Sequence, residues 1–260
     1  MRRTTRHDHD SRPLGVFITG TDTGVGKTLI TSALVAYLNR RGIDVGVMKP
    51  IETGVLPSSK AQSDGARLRK AAGCHDPMTE VSPYRFRLPL APLSAAQAEG
   101  RTVLVTTIIR IFQALLQKHS FVVVEGAGGI NVPITQSLNM TDLIYRMKLP
   151  AVVVGLSGLG GVNHALLTIQ ALRGRKIPIL ALVLNQRRPV LTKTESLQEQ
   201  STVILLRRLA KVPVVGPIAY TQGYNRHWDD GLTHLAETAA ITRLAKLVLA
   251  SGQETPLRRR

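Results

Sequence analysis

The chain has 260 residues, with 34 Lys and Arg against 17 Asp and Glu, a formal net charge of +17, and a single cysteine. A chain of this length can form one large α/β domain that buries roughly 70–75% of its unfolded surface. Cys74 alone excludes an internal disulfide framework and a cysteine-clustered metal site, which agrees with a reducing compartment. No apolar run approaches the ~18–20 residues needed to span a bilayer, and the basic start MRRTTRHDHDSRP lacks the apolar stretch of a secretory signal, so a cytoplasmic protein is expected.

The positive charge would attract nucleic acid or an anionic membrane, but its distribution argues otherwise. Part of it lies in the end segments 1–13 and 251–260, read as disordered basic tails around a domain at 14–250. The rest is scattered in pairs such as Arg40-Arg41 and Arg207-Arg208, and aromatics make up only 4% of the chain, too few for a stacking platform. Neither nucleic acid nor membrane is expected as a partner. Solvated charge around an anionic-ligand site is the reading carried forward.

Leu14 to Thr19 reads as a buried strand, followed by GTDTGVGKT and by apolar residues at helical spacing from Leu29 to Leu38. A glycine-rich turn between strand and helix is the setting of a phosphate loop: Gly24, Val25 and Gly26 offer backbone N–H groups, Lys27 reaches β and γ phosphates, and Thr28 can ligate magnesium. The expected ligand is a magnesium nucleotide. Five residues separate Gly20 from Gly26 where four are usual, so Thr21 takes the place of the first glycine.

Ile43 to Met48 reads as the second strand, with Lys49-Pro50 at its end. In an open parallel sheet this end faces the ligand crevice, so Lys49 either faces the phosphate loop or is an ordinary strand-end lysine. Thr53-Gly54 continues the loop. Ser63-Asp64 precedes a helical run through Lys70, which leaves Asp64 as an N-cap or as a magnesium-associated carboxylate. From Gly73 to Pro92 prolines break the chain into an irregular excursion. A helix is expected to restart at Ser94 to Gln97, and Thr102 to His119 forms a longer crossover helix.

Phe121 to Val124 is an apolar strand that runs into Glu125-Gly126-Ala127-Gly128-Gly129. A carboxylate at the C-terminal end of a buried strand can hold magnesium opposite the loop threonine; the alternative is a solvent-facing glutamate in a turn. Ala151 to Gly155 is the next strand, and the glycines after it precede a helix starting near Val162 or Asn163 whose N-terminus could hold a substrate carboxylate. His164 on that helix is a capping or packing residue as readily as a catalytic one. Ile177 to Leu184 ends at Asn185, whose amide can match a purine. A helix through Ala210, a short strand Val212 to Val215 and a final helix from Asp229 to Ala250 complete an α/β alternation with no internal repeat. The expected architecture is a single-domain three-layer α/β/α fold with a mostly parallel sheet.

GTDTGVGKT, MKPIETG, SDGARL, VEGAGG, GLGGVNHALLT and VLNQ stand in the order and spacing of the dethiobiotin synthetases, and the chain resembles that family over roughly Leu14 to Tyr220. The resemblance implies a P-loop NTPase that uses ATP and magnesium to insert CO2 between the two amines of 7,8-diaminononanoate, as a homodimer whose subunits share the substrate site. It implies catalytic roles for Lys27 and Lys49 and a metal site of Thr28, Asp64 and Glu125. Substrate contacts would come from Thr23, Thr53, Gly160, Gly161 and Asn163, and nucleotide contacts from Gly126, Ala127, Gly128, Asn185, Gln186, Ala219 and Tyr220. Ala91 and Leu93 stand where the family often has serine and histidine, and Ala219 where it usually has proline.

A dimeric ATPase switch of the partitioning and septum-placement type would share the sheet and could use a basic surface. It requires a lysine five positions before the loop lysine, where this chain has Asp22. A P-loop amidotransferase-type synthetase would need a glutaminase domain, for which the chain after Tyr220 is too short.

Overall fold

The computed structural model describes residues 15–221 and 228–251; the proposed tails at 1–13 and 251–260, apart from Ser251, and Leu14 as a first strand residue, lie outside them. Six strands form one parallel sheet in the order β2-β5-β1-β6-β7-β8. They are β1 (Gly15–Gly20), β2 (Val45–Met48), β5 (Phe121–Gly129), β6 (Ala151–Leu156), β7 (Ile179–Asn185) and β8 (Val214–Ile218). The strands are continuous apolar runs because both faces are covered. Val122, Val124, Val153 and Leu182 face one core, and Val16, Val123, Val152 and Val183 face the other.

The first of these cores is covered by α4 (Pro92–Ala98), α5 (Val105–Lys118), α6 (Met140–Met147), α7 (Gly161–Gly174) and α8 (Lys193–Leu209). Packed on the other are α1 (Lys27–Asn39), α2 (Asp64–Ala72), α9 (Trp228–Ala236) and α10 (Ala239–Ala250). The three-layer α/β/α arrangement of a P-loop NTPase follows. Strand order reverses at β1, between β5 and β6, and that places the ligand crevice over the end of β1.

Several expectations change in detail. The excursion from Gly73 to Pro92 contains a short helix, α3 (Met78–Val81), and a strand β4 (Tyr84–Arg85) that pairs in parallel with β3 (Ile51–Glu52). β5 does not stop at Val124 but continues through the glycines, with Gly129 opposite Gly20. The final helix is two helices, and α6 is an element the sequence reading did not find; its capping box, formed by Asn139 and Asp142, starts it at Met140. The extra residue in the phosphate loop also has an explanation: Gly20 still belongs to β1, and Thr21 N–H donates to the Val154 carbonyl, so the loop proper begins at Thr21.

Candidate active site

A cavity of about 760 Å³ opens at the C-terminal ends of β1, β2 and β5. Its floor is the phosphate loop. Gly26 caps α1 in the left-handed region at φ 100°, and a Cβ there would meet the Asn185 amide at 2.3 Å, so both backbone conformation and close approach require glycine. Asn185 Nδ2 donates to the Val25 carbonyl at 3.0 Å, which ties the end of β7 to the loop.

Lys27 opens α1 and donates to the Asp22 carbonyl at 2.9 Å. Burial, followed by the nearby Lys49 ammonium, lowers its pKa to about 8. Lys49 lies at the end of β2, only 3% exposed. Its ammonium donates to Glu125 Oε1 at 2.5 Å and to the Gly126 carbonyl at 3.1 Å, and pairs with Asp64 Oδ2 at 3.0 Å. Burial works against its charge, but Glu125 and Asp64 outweigh burial and hold the pKa above the ordinary lysine value. Lys49 is thus a fixed cation.

Thr28 Oγ1 donates to Glu125 Oε1 at 2.8 Å. Glu125 is fully buried, and its Oε2 has no partner among the described residues. Asp64 stands at the start of α2, but the cap of that helix is Ser63, whose Oγ accepts from Ala66 N–H. The Asp64 carboxylate is therefore available to the site. Its pKa is lowered: burial opposes the charge, and Lys49 overcomes it.

These oxygens fit a hard cation. A buried carboxylate oxygen without a partner, a second carboxylate and a hydroxyl converge beside the loop, and magnesium is usually held by one or two carboxylates together with substrate phosphates. Among the described residues no three His, Cys, Asp or Glu side chains converge as a metal cage, so such an ion would need the nucleotide to complete its shell.

The cavity also gathers Thr23, Gly24, Thr53, Ala127, Gly128, Ala219 and Tyr220 from the sequence-predicted set. Gln186 lines it as well, but its side chain is a strut: Nε2 donates to both oxygens of Glu199, and Oε1 accepts from Tyr220 N–H. Gly160, Gly161 and Asn163, around the N-terminus of α7, are not among the lining residues, and His164 is exposed. Of the two family departures in the substrate loop, Ala91 lines the cavity and Leu93 does not.

Glu52 went unread in the sequence. It is buried and accepts from the N–H groups of Asp64 and Gly65, so it holds the first turn of the helix that carries Asp64. Burial, then the Asp64 carboxylate, raise its pKa. A carboxylate twelve residues before a helix start has no pattern that would reveal this contact. Arg67, stacked 4.1 Å from the Trp228 ring centroid, and Arg187, beside Gly24, also line the cavity unforeseen.

A parallel sheet with a lysine-bearing phosphate loop at its reversal point, facing two carboxylates, defines a P-loop nucleotide-binding protein, and a family model described as an AAA domain matches residues 14–226. An ATP-dependent dethiobiotin synthetase of Anaeromyxobacter dehalogenans (strain 2CP-C) is 46% identical over 175 residues, 67% of this chain and 78% of the relative. Its counterpart from Thermodesulfovibrio yellowstonii is 37% identical over 221 residues, 82% of this chain and 91% of the relative. The chain belongs to the ATP-dependent dethiobiotin synthetase family. A solved MinC:MinD cell division protein complex from Aquifex aeolicus shares the fold at TM-score 0.52 and 14% identity, covering 94% of this chain and 98% of that one.

Proposed function

We propose that this chain closes the cyclic urea of dethiobiotin from 7,8-diaminononanoate, CO2 and ATP, with Lys27, Lys49, Thr28, Asp64 and Glu125 as its working residues. The observation that carries the residue assignment is Lys49, a buried ammonium in the nucleotide cavity bonded to both Glu125 and Asp64. One substrate amine adds to CO2 and loses a proton to give a carbamate. A carbamate oxygen then attacks the γ-phosphorus and ADP leaves. The second amine attacks the carbonyl carbon, expels phosphate and loses a proton, closing the ring. Negative charge builds between phosphate and carbamate, where Lys49 stabilises it while Lys27 holds the transferring phosphoryl group. Magnesium held by Thr28, Asp64 and Glu125 would neutralise charge on the phosphates.

Thr23 and Thr53 would contact the diamine, and Asn185 with the segment from Ile218 to Tyr220 the base. Because Gly160, Gly161 and Asn163 stand apart from the cavity, the substrate carboxylate would be bound at the α7 N-terminus of a second subunit. Leu159 beside that N-terminus and Leu167 midway along α7, 83% and 55% exposed, support a homodimer through this helix. Among the described residues no helix is long and apolar enough to cross a membrane, and the cytoplasm is the proposed location.

Phosphate release from ATP should require both the diamine and bicarbonate, and omitting either should abolish it. An ATPase that ignores both omissions would be a switch instead, although Asp22 occupies the position where a switch needs its lysine.

A further inference from the structure

Part of the positive charge, read from the sequence as scattered, is gathered by the fold. A parallel sheet puts every strand start at the end opposite the cavity, and the helices that run back along the sheet end there too. The stretches entering β6, β7 and β8, three neighbouring strands, share one pattern: KLP at 148–150, KIP at 176–178 and KVP at 211–213. Each lysine adopts the left-handed conformation, with φ of 55°, 55° and 52°, the position past a helix end that glycine ordinarily takes. Lys148, Lys176 and Lys211 are the only non-glycine residues with positive φ among those described.

Arginines stand beside each lysine. Arg146 precedes Lys148, Arg173 and Arg175 precede Lys176, and Arg207 and Arg208 precede Lys211; all are exposed. No Asp or Glu occurs within 143–150, 173–178 or 207–213, and among the described residues the one carboxylate paired to this set is Asp142, with Arg175. Cations at helix ends also complement the helix dipoles. Eight positive side chains against Asp142 and three helix ends of about −0.5 each still leave about +5 to +6. Packed helices lie about 10 Å apart, so the charge forms a line of three clusters roughly 20 Å long.

We propose that this face binds the phosphate backbone of duplex nucleic acid without reading its sequence, which reverses the expectation drawn from the sequence. Lysine point charges at one end of a sheet suit a rod of phosphates. Among the described residues of these stretches only Tyr145 and Leu209 expose large apolar surface, too little for a protein interface or for insertion into a bilayer.

The full chain should bind labelled DNA duplexes of about 20 base pairs and unrelated sequence with equal affinity, falling steeply between roughly 50 and 200 mM salt. Replacing Lys148, Lys176 and Lys211 together by glycine removes three charges while easing the backbone at each position, so the fold should persist and the melting temperature hold or rise. Duplex affinity should drop about ten-fold or more at low salt, and the log–log salt slope should flatten by about 2 to 3. Urea-forming turnover should not change. No duplex binding by the native chain, an unchanged affinity and slope in the triple variant, or binding to phosphatidylserine vesicles without binding to duplex would each overturn the proposal.

Discussion

Lys49 sits where three backbone and side-chain oxygens fix its ammonium, and that immobility suits it to charge that develops during reaction rather than to charge already present in ATP. Lys49→Ala should therefore lose turnover by about 10²-fold or more while nucleotide affinity changes little. An active Lys49→Ala enzyme would remove it from the chemistry. Glu125 differs: its Oε2, without a partner among the described residues, leaves an acceptor open to a ligand. Glu125→Gln should raise the half-saturating magnesium concentration by about ten-fold, and an unchanged magnesium titration would count against the assignment. Both residues stood out in the sequence because each directly follows a short apolar run, and parallel strands aim their C-terminal ends at one crevice, although β5 itself continues past Glu125 to Gly129. Like Lys49 and Glu125, Asp64 was read with an alternative, since a serine and an aspartate beside each other can each cap a helix; Ser63 does so here.

Elements position these residues, and α2 shows how. It is set by two acceptors, the Ser63 hydroxyl and the buried Glu52 carboxylate, the latter reaching from β3 to N–H groups of the first turn. Glu52→Ala should cost about 1–3 kcal/mol in denaturant unfolding, because two donors lose their acceptor, and should raise the half-saturating magnesium concentration through a displaced Asp64. Normal stability in that variant would show that water replaces the carboxylate. At the opposite end of the sheet His119 bonds to Asp44 through Nδ1 and to Asp76 through Nε2, each at 2.8 Å, with Lys118 3.8 Å from Asp76. Burial disfavours the imidazolium, but the two carboxylates outweigh it and raise its pKa. A raised folded-state pKa means that this contribution is complete below about pH 6.5 and disappears as pH climbs through the folded value. The melting temperature should therefore fall between about pH 6 and 8 relative to His119→Gln, and parallel pH profiles would exclude the link. None of this could be read from spacing, because Asp44, Asp76 and His119 meet only through packing. The helix α6 was missed for a different reason: at eight residues it is too short for periodicity to stand out, and its signal was the Asn139–Asp142 box.

At the scale of the molecule, the layers and the parallel sheet followed from the alternation of apolar runs with helical patterns, but strand order and the company each helix end keeps did not. The same limit applies to the substrate site. Thr23 and Thr53 line the nucleotide cavity, whereas Gly160, Gly161 and Asn163 surround the N-terminus of α7 outside it, with Gly160 held at φ 85° as the helix cap. If those three hold the substrate carboxylate while Lys49 acts on its amine, the proposed homodimer would bring the α7 N-terminus of a second copy to the cavity. Leu159 and Leu167 are the side chains such a partner would cover, for an 83% exposed leucine in a glycine-rich turn has no packing role of its own. Replacing both by glutamate should convert a dimer to a monomer in light scattering, because two like charges would then meet their own copies across a two-fold axis. It should also raise KM for the diamine by about ten-fold or more while ATP binding is preserved, since the phosphate loop lies within one chain. A monomeric variant with native diamine affinity would place the carboxylate site within a single subunit and detach α7 from the reaction.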